Sequence, residues 1–401
     1  MRCTYWVSAR ACRRRCARWP RTSGAAREQR ARHGHAAVSA VLQQHGARAA
    51  TAARRPGKAL VLCALTGLMM ITILVAAGTG AFAIAPREVL SILLYAVGID
   101  TGITFAPQQE TVFHAIRLPR VLMAVLVGAG LAAAGAAMQG LFRNPLADPG
   151  LIGVSSGAAL AAAFVIVLGA TLLPGLSRAL GLFTLPLAAF LGGLAVTVVI
   201  YTLATRDGRL SLPIMLLAGI AVNALAGAGI GLFTYIATDE QLRNITFWSL
   251  GSLAGSSWRV IALCAPATML AVALAWSTAG PLNAILLGEA EAGHLGVDVK
   301  RLKISVIVAT ALAVGTLVAF TGIIGFIGLV APHMLRLVAG PDHRIVIPGS
   351  ALLGATLTLA ADTVARTIAA PAEMPIGILT ALIGAPFFLG LLLAQRRAWG
   401  A

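Results

Sequence analysis

ISVIVATALAVGTLVAFTGIIGFIGLVAPHMLRLVA, residues 304–339, is the stretch on which the fold turns. As a single helix it would extend about 54 Å at about 1.5 Å per residue, against a hydrocarbon core of about 30 Å. It also carries TGIIG at 321–325 and Pro332, both interruption signals for a helix. The stretch is therefore read as one span followed by a short re-crossing helix. Outward from it, further apolar runs of about 20 residues lie at 59–83, 118–141, 151–173, 182–204, 213–236, 259–279, 345–365 and 375–394. The expected total is ten spans.

Charge placement tests the split. With ten spans and a basic amino-terminal head inside, the inside loops carry Arg143, Arg206, Arg209, Lys300, Arg301, Lys303, Arg336, Arg344, Arg396 and Arg397. A single span over 304–339 would send the last four outside and bring only Arg366 in. Ten spans with both termini cytoplasmic fit the positive-inside bias better.

Composition agrees with that class and removes the others. Apolar residues make up 58% of the 401 and charged residues 11%, whereas a soluble surface needs roughly a quarter of its residues charged. The apolar character runs from residue 59 almost to the end, which excludes a single-span anchor. Its runs are continuous instead of alternating over about ten residues, which excludes an outer-membrane barrel. The expected fold class is all-α, a polytopic membrane protein of ten transmembrane helices.

The net charge of +17 belongs mostly to the head. Residues 1–58 hold 14 Lys and Arg against one acidic residue, Glu28. Like-charge blocks of this kind stay solvated, so the head is expected to be a disordered extension, with residues 59–397 forming the membrane domain. Binding of nucleic acid or anionic lipid, and a targeting peptide, are the competing readings of the head; no nucleic-acid partner is expected for the protein. The five cysteines lack paired spacing and indicate neither a disulfide framework nor a zinc site.

VGAGLAAAG (127–135) matches VGTLVAFTG (314–322) at an offset of 187 residues. Each copy is followed by Gly-Leu and then Pro. Five spans separate the copies, as in an inverted internal repeat; the competing reading is that Gly/Ala-rich helices resemble one another by composition.

Coupling-ion chemistry is missing from the spans, which hold no Asp, Glu or Lys at mid-membrane depth. Asn223 is the clearest mid-span polar residue, read as an interhelical hydrogen-bonding group or a path-lining one. No phosphate-binding loop of the G-x-x-x-x-G-K-[ST] kind occurs, and the histidines show no metal-ligand spacing. No catalytic, cofactor or metal site is read. Transport powered by another subunit fits best, with a secondary carrier or channel as the alternative class.

Three stretches are similar to the permease family of binding-protein-dependent importers for iron chelates, haem and vitamin B12. They are RLPRVLMAVLVGAGLAAAGAAMQGLFRNPLADPGLIGVSSGA (117–158), LLGEAEAGHLGVDVKRLK (286–303) and the segment 321–393, which contains DHRIVIPGSALLGA, ADTVAR and EMPIGILTALIGAPFFLGLLL. The resemblance implies the type II ABC importer fold, ten helices per subunit, in a homodimer above two ATP-hydrolysing subunits in the inner membrane. ATP and Mg would be bound on those subunits. It implies a periplasmic binding protein as a further partner, and haem as the cargo. Ferric siderophores and vitamin B12 remain the alternatives, because those permeases share much of the same block.

Residue by residue, the resemblance places ATPase coupling at Gly288, Glu289, Ala292, Leu295 and Gly296. It places binding-protein docking at Arg117, Arg120 and Arg366, read as external guanidinium groups able to pair with carboxylates. Arg87, Arg178, Arg243 and Arg259 are external in the same layout, so location alone does not select the docking set. The loop 206–216 matches the cytoplasmic gate region, which makes Ser211, Leu212 and Pro213, with Asn223, the pathway and gate candidates. Leu212 and Pro213 stand near positions that hold small polar residues in the vitamin B12 member, so the gate chemistry is left open.

Overall fold

The computed structural model describes residues 57–399 apart from residues 81–83, 97, 370 and 371. Of the basic head only Gly57 and Lys58 are among them; the remaining expectations for the head lie outside the described residues. Contacts divide the chain at Arg55–Pro56, and the fold below is that of the second unit.

Apolar sequence in a membrane must satisfy its backbone internally, and nearly every apolar run is a helix. In chain order these are α1 (Lys58–Gly78), α2 (Pro86–Tyr95), α3 (Pro107–Val112), α4 (Leu118–Phe142), α5 (Val154–Leu172), α6 (Pro174–Leu180), α7 (Thr184–Ala204), α8 (Leu212–Ile236) and α9 (Asp239–Leu250). There follow α10 (Trp258–Ser277), α11 (Ala279–Ile285), α12 (Glu289–His294), α13 (Val299–Thr321), α14 (Ile327–Ala339), α15 (His343–Ile368) and α16 (Ile376–Trp399). Among the described residues eight helical segments are long and apolar enough to cross a membrane, and α14 and the Ile376–Gly390 part of α16 are shorter apolar helices.

The 304–339 stretch does divide. α13 ends at Thr321, Gly322 follows at φ +70, and Phe326 at φ +67 leads into α14. Lys303 at the start of α13 bonds Glu289, while Asn283, six residues before Glu289, bonds Asp342 at the start of α15. The chain thus leaves one end of the bundle along α13 and returns to it along α14.

Pro332 does not contribute to the break. It sits inside α14, correcting the expectation that it interrupts the helix. A proline there leaves the carbonyl four residues back without its donor, and that carbonyl, Gly328 O, instead accepts from Gln139 Nε2 at 3.3 Å. The 187-residue offset also aligns unlike positions: Gly135 lies inside α4, whereas Gly322 caps the end of α13. Among the described residues the regular structure is helical except for one hairpin, Thr205–Arg206 paired antiparallel with Arg209–Leu210. Its turn, Asp207-Gly208, has φ +51 and +71, both left-handed as a tight two-residue hairpin demands.

α4 is the axis of the core. In the most apolar 18 residues of the Pro107–Phe142 run 78% are buried, against 11% in the matching stretches of α1 and α8, so the other helices gather around α4. Small residues make this possible. A Cβ on Gly128 would lie 2.2 Å from Gly354 O of α15, and one on Gly135 would lie 1.9 Å from Gly328 O of α14. The continuation of α4 backwards through a π-helical turn (Phe113–Arg117) and α3 was not expected from the sequence.

Candidate functional site

At one end of the bundle α1 finishes, α4 begins and α15 finishes, and there Arg117, Arg120 and Arg366 come together. Their placement corrects the expectation of outward guanidinium groups. Arg117 is 4% exposed and Arg120 7%, and the Arg366 side chain is 8% exposed. The cause is local. The last carbonyls of α1 have no helical donors, and Arg117 Nη1 donates to Ala77 O and Gly78 O, both at 2.8 Å. Arg366 Nη2 donates to Ala76 O. Arg120 grips Asp362 with Nε at 3.0 Å and Nη2 at 2.9 Å from Oδ1, and its Nη1 reaches Glu373 Oε1 at 2.7 Å. Glu373 is the partly solvated member, with a side chain 45% exposed.

At the opposite end lies the coupling candidate. Gly288, at φ +129, precedes α12. Ala292 is fully buried, while Leu295 is 65% exposed and Gly296, at φ +83, has open space around it. Glu289 turns partly inward: its Oε2 is 2.7 Å from Lys303 Nζ. Lys303 is itself buried and also donates to Leu210 O at 3.1 Å. Read from sequence, Lys303 is one of several flanking charges; the burial that sets it apart requires the folded contact.

The hairpin delivers the chain to the gate candidates. Ser211 precedes α8, its N–H bonding Ala204 O at 3.0 Å. Leu212 packs partly against the core and Pro213 is exposed in the first turn of α8, where a missing N–H costs nothing. Asn223 lies apart from these three, further along α8. Its Oδ1 accepts from Ser156 Oγ at 2.5 Å, and its Nδ2 donates to Gly150 O at 3.4 Å. These bonds tie α8 to α5 and to the 3-10 turn Pro149–Ile152.

In that turn Asp148 accepts from Gly150 N at 2.7 Å, and burial pushes its carboxyl above the usual carboxylate range. It borders a cavity of about 130 Å³ whose far wall is the 323–326 break. Near the coupling end Lys58 Nζ stands 2.5 Å from Asp342 Oδ2. Its hydrogen bond, aided by Asn283 and by the Arg344 N–H, draws the Asp342 carboxyl down to about 2. Among the described residues no three His, Cys, Asp or Glu side chains stand together to hold a metal.

Gln139 escaped sequence reading. Its amide serves Gly328 O while its Oε1 accepts from Arg336 Nη1, with Arg336 Nη2 on Ala136 O at 3.3 Å. A single Gln within an apolar run opposite an in-helix Pro was the available signal.

The model of the FecCD transport family matches residues 68–394. The chain is 50% identical over 281 residues to the hemin transport system permease HmuU of Yersinia pestis, covering 70% of this chain and 83% of that one. It is 43% identical over 303 residues to the vitamin B12 import permease BtuC of Escherichia coli, 75% of this chain and 89% of the relative. Among solved structures a metal-chelate type ABC transporter, in an inward-facing conformation, superposes with a TM-score of 0.71 at 34% identity. That match covers 84% of this chain and 99% of the other.

Proposed function

The chain belongs to the FecCD transport family and is a permease subunit of an ABC importer, and from that premise we propose that its cargo is haem. It is a translocation subunit, and ATP is hydrolysed on a separate one. The observation that carries the cargo is the 50% identity to a hemin permease, above the 43% to a vitamin B12 permease. A large planar amphipathic ligand suits a path walled by apolar and small residues. A corrinoid or ferric siderophore is the second reading, favoured by the vitamin B12 relatives.

The assembly we infer is a homodimer in the bacterial inner membrane, above two ATPase subunits that bind ATP and Mg. α8 supports it: this apolar helix buries only Met215, Gly219 and Ala226 within its own chain, leaving a face for a second copy. Ten crossings with both termini cytoplasmic follow if α14, about 20 Å long, completes its crossing with the 322–326 segment. The coupling end then faces the ATPases, with Gly288, Glu289, Ala292, Leu295 and Gly296 forming the contact and Ser211, Leu212 and Pro213 the gate. The arginine end faces a periplasmic haem-binding protein. Arg117, Arg120 and Arg366 support that face from beneath, and Glu373 is its solvated carboxylate.

Transport tests the cargo. The permease, its ATPase and its binding protein, in proteoliposomes, should accumulate hemin in an ATP-dependent way. Uptake of a ferric siderophore or cobalamin in place of hemin would move the assignment to that cargo. ATP-independent flux would indicate a carrier or channel.

A further inference from the structure

We propose that Lys303 is a positioning residue that makes α12 and the 205–210 hairpin move as one body, so that displacement of the coupling helix reaches the first turn of α8. The inference rests on the coupling and gate readings above and adds the connection between them. Three observations carry it.

First, Lys303 is 6% exposed, and a buried ammonium must be matched by a charge and by acceptors. Its ammonium bonds one partner from each segment: Glu289 Oε2 at 2.7 Å from α12, and Leu210 O at 3.1 Å from the hairpin. Second, neither segment is held to the other by a long element. α12 has six residues and each strand two. The hairpin backbone reaches α13 at Arg209–Leu210, and the packing of α12 on the bundle is anchored by Ala292. Third, the two segments lead to different places. Leu287, just before α12, and Leu295, just after it, are exposed for a partner, whereas Leu210 is followed at once by Ser211, Leu212 and Pro213.

Separating Glu289 from Lys303 would leave a buried cation with a single carbonyl, and withdrawing Leu210 would leave it with one exposed carboxylate. Both motions are opposed by the same charge, so the low-energy motion carries both segments together. A lysine suits this better than an arginine fork, because its compact ammonium can hold two oxygens on different segments without a planar constraint.

The test uses the full complex of permease, ATPase and binding protein in nanodiscs and proteoliposomes. Spin labels at Ala290→Cys in α12 and Asp207→Cys at the hairpin tip report their separation, with and without ATP and Mg. Unmutated at 303, the pair should keep one narrow distance in both states. Lys303→Met should broaden it. It should also lower hemin uptake per ATP hydrolysed by about two- to thirtyfold, the range for residues along a coupling network, while ATP hydrolysis continues. Lys303→Arg should restore part of the ratio. If Lys303→Met does not assemble, Glu289→Gln breaks the same ion pair at the exposed partner and should lower the ratio in the same direction. A narrow distance and an unchanged ratio in the assembled variants would overturn the proposal. Absence of hemin uptake by the parent complex would instead refute the cargo, while the label distances would still report on Lys303.

Discussion

Arg120 and Asp362, 242 residues apart in the chain, close a two-pronged ion pair between α4 and α15, with Nε 3.0 Å and Nη2 2.9 Å from Oδ1. Asp362 is 1% exposed. The pair is enclosed and its geometry is complete, so its members depend on each other more than on solvent.

Arg120→Ala is therefore expected to destabilise the protein by up to about 3–5 kcal/mol, because it leaves the buried Asp362 carboxylate with only the longer 3.8 Å contact from Arg366 Nε. Replacing both residues, Arg120→Met with Asp362→Leu, should recover most of that loss. Thermal unfolding in detergent checks it; an Arg120→Ala protein as stable as the parent would show that the pair is not closed.

Gln139 and Pro332 should be coupled in a double-mutant cycle. Gln139→Leu strips the donor from Gly328 O and the acceptor from Arg336, at an expected cost of about 1–3 kcal/mol. Pro332→Ala returns a backbone N–H to Gly328 O, so in that background the loss from Gln139→Leu should shrink. Purely additive losses would separate Gln139 from the proline.

The membrane class, the span positions and the division of 304–339 were legible because they follow from apolar run length and glycine placement, which are local. The arginine site was legible only in part. RLPR and ADTVAR bring Arg117, Arg120 and Arg366 to attention, yet their burial depends on where α1 ends, and no pattern near residue 117 encodes the carbonyls of Ala76, Ala77 and Gly78. Lys303 and Gln139 failed to stand out for the same reason. Each is defined by partners from 14 to about 190 residues away, and a polar residue at a helix end or in an apolar run looks alike whether or not those partners arrive.

Glycine size should matter at contacts and not elsewhere. Gly135→Ala places a methyl against Gly328 O and should cost about 1–3 kcal/mol by forcing α4 and α14 apart. Gly67→Ala, which meets nothing within 4 Å, should be neutral or slightly stabilising. Equal melting temperatures for both variants would contradict the close crossing.

Asp342 sets an acid limit. Its carboxyl lies near 2, below its ordinary 3.8, because it accepts from Lys58. A depressed acid contributes stability above its unfolded value and loses it as pH falls through the folded one. The Tm advantage of the parent over Asp342→Asn should hold above about pH 4 and vanish between about 4 and 2. A constant difference across that window would remove the Lys58–Asp342 pair as its source.

The docking proposal makes its sharpest demand at Glu373. Arg120 keeps Asp362 when Glu373 is removed, so Glu373→Gln should leave the fold intact; a pair with one partner half in solvent is worth about 1 kcal/mol or less. It also removes the negative charge beside Arg120 Nη1 at the solvated edge of the cluster. If a binding protein presents carboxylates to this end, as the family assignment leads us to propose, Glu373→Gln should associate faster than the parent. The gain should diminish as salt rises, because the attraction is between charges at a wet rim. Reversing Arg120 cannot test this cleanly, since it breaks the Asp362 pair as well. Binding-protein association with the nanodisc complex, at low and moderate salt, provides the measurement. An association rate for Glu373→Gln equal to the parent at both salts would take the docking face away from Arg120.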